Sequence, residues 1–414
     1  MRTKLLVLAA LCVVVLAILV GGCGDSGTST TGAPSSTLGT TATTVGSSGS
    51  TTTSVPVSDR EAAKQEATDA GLKDAEAAGP PVAPPTGKKI GFLLLSAQTE
   101  ADVIIMNDLK EAAGYFGFDV IVADWNFDTA KLRMNATTVL AQDPDLMIGD
   151  AADPTLTPEA LKEADARGIP WIVTSAAQTP SDLVTAEYVP DEKLNTRVLD
   201  EWLFAQIKER FPDKDPAKLA AFQAPPVGPG VRDRDTQRKE DLASTTGITE
   251  VVTHDLDLAD PVQDTIKMTR QILAQYPDIA AFWQTADFCI PPIGQVLNSQ
   301  GIEGAGRPIV SGFYSTREGR AGLIDGSVDG IVDINQGEMA YVIIDQAVEH
   351  WARGTEFWPD STVFAEAYSI KMLQPWMHTA ENVNPDIEIL ENNGADYKTY
   401  FKTKWSKEFG LNLQ

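Results

Sequence analysis

Nine short apolar runs, most of them followed by a helical pattern, constrain the fold of this chain more than any other feature of its sequence. The first four are KKIGFLLLS (88–96), DVIVADW (119–125), PDLMIGD (144–150) and IPWIVTS (169–175). Five more follow: KLAAFQA (218–224), TEVVTHD (249–255), IAAFWQT (279–285), RPIVSGF (307–313) and DGIVDIN (329–335). Within each set the starts recur roughly every 25 to 31 residues, the spacing of a βαβ unit. Strands that are apolar throughout belong to parallel sheets covered on both faces. Between them, stretches such as DVIIMNDLKEAAGYFG (102–117) place Val103, Met106, Leu109 and Ala113 on one helical face. A long helical segment, DEKLNTRVLDEWLFAQIKERF (191–211), separates the two sets. The expected fold class is therefore α/β: two similar Rossmann-like domains, each a parallel sheet with helices on both faces. About 325 residues suffice for two such cores.

The start of the chain is of another kind. Arg2 and Lys4 precede an apolar run, Leu5 to Val20, that is shorter than the about 20 residues a spanning helix needs. A basic segment, a short apolar segment and small residues describe an export signal. LVGGC (19–23) resembles the bacterial lipobox, which implies a signal over 1–22 and a diacylated, palmitate-type Cys23 at the mature N-terminus. One acyl chain holds a protein only marginally, so two are needed for a stable anchor. The alternative is a plain secretory signal with an incidental cysteine. From Gly24 to Ser58 a Ser/Thr/Gly tract carries Asp25 as its one charge and cannot bury enough apolar surface to order itself. As a coil it would reach roughly 30–35 Å. DREAAKQEATDAGLKDAEAAG (59–79) is rich in helix formers, but Leu72 is its one large apolar residue, so a frayed or disordered stalk is expected up to PPVAPPTG.

Charge and cysteine usage exclude several classes of function. With 58 Asp plus Glu against 33 Lys plus Arg, the chain repels nucleic acid and anionic lipid. Three histidines without an HExxH pattern give a histidine metal site little to build on, so no metal and no cofactor are expected. Cys12 lies in the signal, and Cys289 is then the one thiol of the folded part, read as a buried apolar filler. No P-loop, no GxGxxG after a strand and no strand-borne nucleophile elbow is present.

In open parallel sheets, ligands bind beyond the carboxyl ends of the strands. Those ends carry Gln98, Thr99 and Glu100 after the first run and Asp150 at the end of the third. Ser175 follows the fourth, Arg232 and Arg234 the fifth, Thr285 and Asp287 the seventh, Tyr314 the eighth, and Asp333 and Asn335 close the ninth. Such ends make a hydrogen-bonding cleft for a neutral or weakly charged polar molecule. Each has a plainer reading as well: helix caps for Asp150, Thr285 and Asp287, and a surface ion pair with Asp233 or Asp235 for Arg232. Asp333 and Asn335 share a strand face, and one of them is expected to point at the ligand. Among the aromatics, Trp171 and Trp283 read as core, while Phe288 and Tyr314 are the better candidates for stacking on a ligand.

The order of these segments resembles that of a type I periplasmic binding protein, the sugar-binding kind that feeds ABC importers. KKIGFLLLSAQTEAD resembles the opening strand and ligand loop, FGFDVIVAD the second unit, DLMIGDAADP the third and RGIPWIVTS the fourth. VRDRDTQRKED resembles the arginine-bearing helix start, YPDIAAFWQTADF the following strand and its polar end, RPIVSGFYST the next strand, and VDGIVDINQGEMAY the crossover strand and helix. The resemblance implies a multi-strand hinge and discontinuous lobes, 88–190 plus about 336–360 and 191–335 plus about 361–377, with a helical extension over 378–414. In that extension Tyr397, Tyr400, Phe401 and Trp405 suggest an amphipathic helix, over the hinge or beside the cleft. The family's ligand arginine maps best to Arg232, with Arg234 structural. Several family positions differ: SAQTEADV lacks an aromatic, the fourth strand ends in Thr174-Ser175-Ala176, and Thr285-Ala286 and Tyr314 stand where Asn-Asp and Asp are usual. The implied function is capture of a small polar ligand, a sugar or sugar-like molecule, for an ABC permease. It would be carried out by a monomer held to the outer face of the cell membrane through its lipid anchor alone. A sensor lipoprotein signalling to a membrane kinase and an exported enzyme are the alternatives.

Overall fold

The computed structural model describes residues 57–384 and 396–413. The signal, Cys23 and the Ser/Thr/Gly tract lie outside them. A first helix, α1 (Val57–Ala78), precedes a parallel sheet built from β1 (Lys89–Leu94), β2 (Asp119–Asp124), β3 (Leu146–Asp150), β4 (Trp171–Thr174) and β5 (Ala186–Tyr188). Its helices are α2 (Glu100–Gly114), α3 (Thr129–Leu140) and α4 (Pro158–Ala166). The second half opens with α5 (Glu192–Arg210) and continues through β6 (Ala217–Gln223), α6 (Pro229–Ser244), β7 (Ile248–Asp255), α7 (Pro261–Gln275), β8 (Ile279–Gln284), α8 (Ile290–Ser299), β9 (Ile309–Phe313), α9 (Arg317–Asp325) and β10 (Gly330–Asp333). The chain closes with α10 (Gly337–Arg353), α11 (Ser361–Ala367), β11 (Trp376–Thr379) and α12 (Tyr397–Phe409).

The strand orders are β2-β1-β3-β4-β5 and β7-β6-β8-β9-β10-β11. Apart from β11, the second order repeats the first, so the two lobes are copies of one topology. All pairings are parallel except β10 with β11, which runs antiparallel from Gly330↔Thr379 to Asp333↔Trp376. The nine apolar runs are all strands. Their side chains are largely buried where helices cover both faces, as in β3, β8, β9 and β10, while β2 and β7 at the edges are only partly buried. After β5 the chain crosses to α5, which packs on β9 and β10. After β10 it returns to α10, which packs on α2, and before β11 it crosses a third time.

Four expectations change. The face that α2 buries is Asp102, Ile105, Asp108, Leu109, Ala112 and Ala113, rotated from the one the apolar residues suggested, because two aspartates belong to it. The segment 361–377, assigned by resemblance to the second lobe, opens as the short helix α11, and its strand is β11, late and antiparallel. β5, only three residues long, pairs with β4 and had no apolar run to announce it.

The fourth concerns the stalk, which is a docked helix. Ala67, Ala70, Gly71 and Ala75 are buried in α1, whereas Leu72 is exposed. Small residues spaced three and four apart let two helix backbones approach closely. A Cβ on Gly71 would lie 2.6 Å from the backbone oxygen of Tyr400 in α12. Asp74 fixes the contact by accepting from Ser369 N (2.8 Å), Ser369 Oγ (2.5 Å) and Tyr400 Oη (2.5 Å). α12 also buries Tyr400, Phe401 and Trp405 in a hydrophobic cluster that includes Leu109 of α2 and Tyr341 of α10. Lys404 is buried there among Asp345 (2.7 Å), Glu408 (2.9 Å) and Glu349 (3.5 Å). The C-terminal helix therefore packs on the outside of the first lobe, against α10, and Lys398 reaches Asp108 and Glu111 of α2.

Candidate ligand-binding cleft

The loops beyond the carboxyl ends of the two sheets meet, and the strand-end residues lie along that junction. Three of them leave their strands in the left-handed region: Ala151 after β3 (φ 47°), Ser175 after β4 (φ 71°) and Tyr314 after β9 (φ 58°). Ser175 and Tyr314 hold the same place in the repeated topology. Non-glycine residues adopt this conformation at a cost, and such positions gather at functional sites.

In the first lobe, Asp150 is fully buried and accepts Leu95 N (3.0 Å) and the Ser175 hydroxyl. Burial outweighs those bonds and pushes its carboxyl above the ordinary range. Asp102, in the first turn of α2, is 4 % exposed, and its Oδ2 has no hydrogen-bond partner among the described residues. Burial first, and then the charge of Asp150, hold Asp102 well above the usual carboxylate range, with Asp287 of the other lobe adding to the effect. Thr99 precedes α2, and its hydroxyl donates weakly to Ser96 O (3.4 Å). Gln98 is exposed.

In the second lobe the two arginines that follow β6 lie in different settings. Arg232 is exposed, and its Nη1 donates to Pro225 O (3.0 Å). Arg234, expected to be structural, is the buried one. It grips Glu192 of α5 through Nε (2.8 Å) and Nη2 (2.6 Å) and donates Nη1 to Thr285 O (2.6 Å). Its guanidinium lies over the rings of Phe313 (4.5 Å) and Tyr314 (4.9 Å). The Tyr314 hydroxyl donates to Glu192 Oε1 (2.8 Å) and accepts from Asn195 (3.1 Å). The Oγ1 of Thr285 is buried without a partner. Burial carries Asp287 up to about 6 and Asp333 up to about 7. Asp333 accepts Ser315 N (3.0 Å), Ile334 N (3.0 Å) and the Ser315 hydroxyl, so burial prevails over three bonds. Asn335 accepts Gly337 N (3.1 Å) at the start of α10. Trp171 and Trp283 are core residues, the latter donating to Asp200 (3.0 Å), and Phe288 is half-buried.

The lobes are joined at two places across this junction. Glu100 of the first lobe accepts Arg320 Nη2 (2.6 Å) and Arg317 N (2.5 Å) of α9. Arg320 also donates to Ser315, so a polar chain runs from Glu100 through Arg320 and Ser315 to Asp333. Beyond β4, Ala177 O accepts Gly230 N (3.1 Å) at the start of α6, and Gly228 lies flush against Gln178.

Sequence reasoning missed Glu192, Asn195, Asp102 and Arg320. A signal for the first two was present: α5 buries Glu192, Asn195, Thr196, Leu199, Asp200 and Leu203, one continuous stripe whose first turns are polar. A core-facing stripe that turns polar at one end marks the end facing a cleft. No group of three or more His, Cys, Asp or Glu among the described residues is arranged to hold a metal ion.

Residues 90–356 match the family model of a periplasmic binding protein domain. No curated protein sequence matches the chain. Solved structures share the fold at low identity. A galactofuranose binding protein is 15 % identical with a TM-score of 0.62, covering 73 % of this chain and 97 % of its own. An ABC transporter solute binding protein from Agrobacterium vitis with bound allitol is 17 % identical, TM-score 0.62, covering 74 % and 99 %. One from Mycobacterium smegmatis with bound glycerol is 17 % identical, TM-score 0.61, covering 74 % and 100 %.

Proposed function

The chain belongs to the periplasmic binding protein family, and from that premise we propose that it is a membrane-anchored extracytoplasmic receptor. It captures a small polar ligand, a sugar or sugar-like molecule, between its two lobes and delivers it to an ABC permease. The family is one of binding proteins rather than enzymes. The observation that carries the reading is the meeting of polar strand-end loops from both sheets, with Glu100 of one lobe held by Arg317 and Arg320 of the other. Hinge closure of two lobes around a ligand is the known motion of periplasmic binding proteins. Here it would bring the first-lobe groups Asp102 and Asp150 up to Thr285 and Asp287. A dry cleft that pairs each ligand hydroxyl rejects analogues lacking one, because a buried partner is then left unsatisfied. The sugars and polyols held by the structural neighbours suit this chemistry. The basic-apolar start, the cysteine at position 23 and the Ser/Thr/Gly tract support export and a lipid anchor.

The test is a thermal-shift screen of the full chain with furanoses, pyranoses and polyols. A ligand at about 100 times its Kd adds roughly 2.7 kcal/mol to stability. The absence of any shift across polar metabolites at millimolar concentration would overturn the proposal.

A further inference from the structure

Three carboxyl groups in the cleft lack a cationic partner. Asp102 comes from the first turn of α2, Asp150 from the end of β3, and Asp287 from the loop after β8, so two lobes and three separate elements contribute. None of the three forms an ion pair among the described residues. Arg234, whose charge bears on Asp287, is engaged by Glu192 and Thr285 O, and Arg320 at the same junction is engaged by Glu100 and Ser315. The charges of Asp150 and Asp287 both bear on Asp102. They are not disposed to grip a metal ion. Asp102 Oδ2 is the decisive atom, a carboxylate oxygen in a side chain 4 % exposed and without any donor.

Leaving a buried carboxylate unpaired is expensive, and the usual remedy is an opposite charge together with hydrogen bonds. A neutral hydroxyl donates one bond and leaves the charge uncompensated. An ammonium brings three donors and the charge. We propose that the ligand carries a protonated amine, as an amino sugar or aminopolyol does, and that this ammonium is received at Asp102 Oδ2, beside Asp150 and Asp287. The inference rests on the small-ligand receptor reading above and narrows its ligand class. The hydroxyls of the same molecule are left to Thr285 Oγ1, which is buried and also without a partner.

The experiment is calorimetric titration of the full chain with matched probes: D-glucosamine and D-galactosamine, their neutral parents D-glucose and D-galactose, the N-acetylated forms, spermidine as an amine that is not a sugar, and choline as a cation without an N–H. The expected result is binding of an amine-bearing probe at least about tenfold tighter than its neutral and N-acetylated counterparts, a difference of about 1.4 kcal/mol. In Asp102→Asn that preference should fall to less than about threefold, while the melting temperature holds or rises because a lone buried charge is gone. Asp287→Asn serves the same purpose if the first variant does not fold. Neutral sugars binding as tightly as the amines would overturn this inference and leave the carbohydrate reading intact. Spermidine binding in place of every sugar would uphold the ammonium site and sink the carbohydrate reading, whereas choline, whose quaternary nitrogen has no N–H to donate, binding as tightly as the amines would overturn the inference. Binding by none of the probes would sink the amine inference, and the broader screen of neutral metabolites would then decide the receptor reading separately.

Discussion

Arg234 shows how much a single side chain can hold in place. Its guanidinium and the Glu192 carboxylate are 7 % and 2 % exposed, and they tie α6 to the first turn of α5 while Nη1 pins the end of β8. Removing one partner of a buried pair strands the other charge, at a cost of about 3–5 kcal/mol. Arg234→Ala should therefore lower the unfolding free energy measured by urea titration by an amount of that order, with the midpoint falling accordingly. Arg234→Lys, which keeps the charge and loses the planar fork, should fall between the two. A midpoint unchanged in Arg234→Ala would show that the pair is not what holds these elements. The two arginines also mark the limit of residue-level reading. Arg232 and Arg234 both follow β6, and which of them turns inward depends on where α6 begins. With Pro229 in its first turn, α6 buries Gly230, Val231 and Arg234 and leaves Arg232 outside. The strand-end aspartates were legible because their position beyond an apolar run is itself the signal. Asp102 was not, since its burial follows from the rotation of α2.

Among the elements, the nine apolar strands could be read directly because both faces of a parallel sheet demand apolar residues, and nothing else in the chain looks like that. β5 and β11 could not. One is Ala-Glu-Tyr and the other Trp-Met-His-Thr, short pieces whose strand character comes from a neighbour. The helix α1 was missed for a different reason: its buried stripe is alanine and glycine, and a search for large apolar residues finds only Leu72, which faces solvent. The interface predicts its own weak point. Gly71→Leu would drive a side chain into the backbone of α12, an overpacking cost of about 1–3 kcal/mol. The amides of α1 should then exchange with deuterium faster than in the parent, with ligand binding unchanged. Equal protection in both proteins would mean that α1 is held by something other than this close approach.

At the scale of the molecule, the buried carboxyl groups set the response to pH. Burial lifts Asp287 to about 6, Asp333 to about 7 and Glu338 to about 8. Each is above its unfolded value, so between that value and the folded one the native state binds more protons than the unfolded chain. The stability contributed is complete near pH 4 and is lost as pH rises through 6, 7 and 8, at up to about 1.4 kcal/mol per group and pH unit. A formal charge of −25 works in the same direction, since self-repulsion grows with pH. The groups held low, Glu111, Asp264 and Asp278, matter only on the acid side of this window. The melting temperature should therefore fall steadily from pH 5.5 to 8.5. A flat or rising profile would contradict the burial assigned to these carboxyls.

The pairing of α1 with α12 has a consequence in time. Asp74 and Tyr400, which bond to each other, are 326 residues apart. At a synthesis rate of about 5–20 residues per second, the earlier helix waits on the order of tens of seconds for the later one to exist. Until then its alanine stripe has nothing to cover it, and no local contact can substitute for so distant a partner. The strands of each lobe can assemble as they emerge, but the outer seam of the first lobe closes only after α12 has been made.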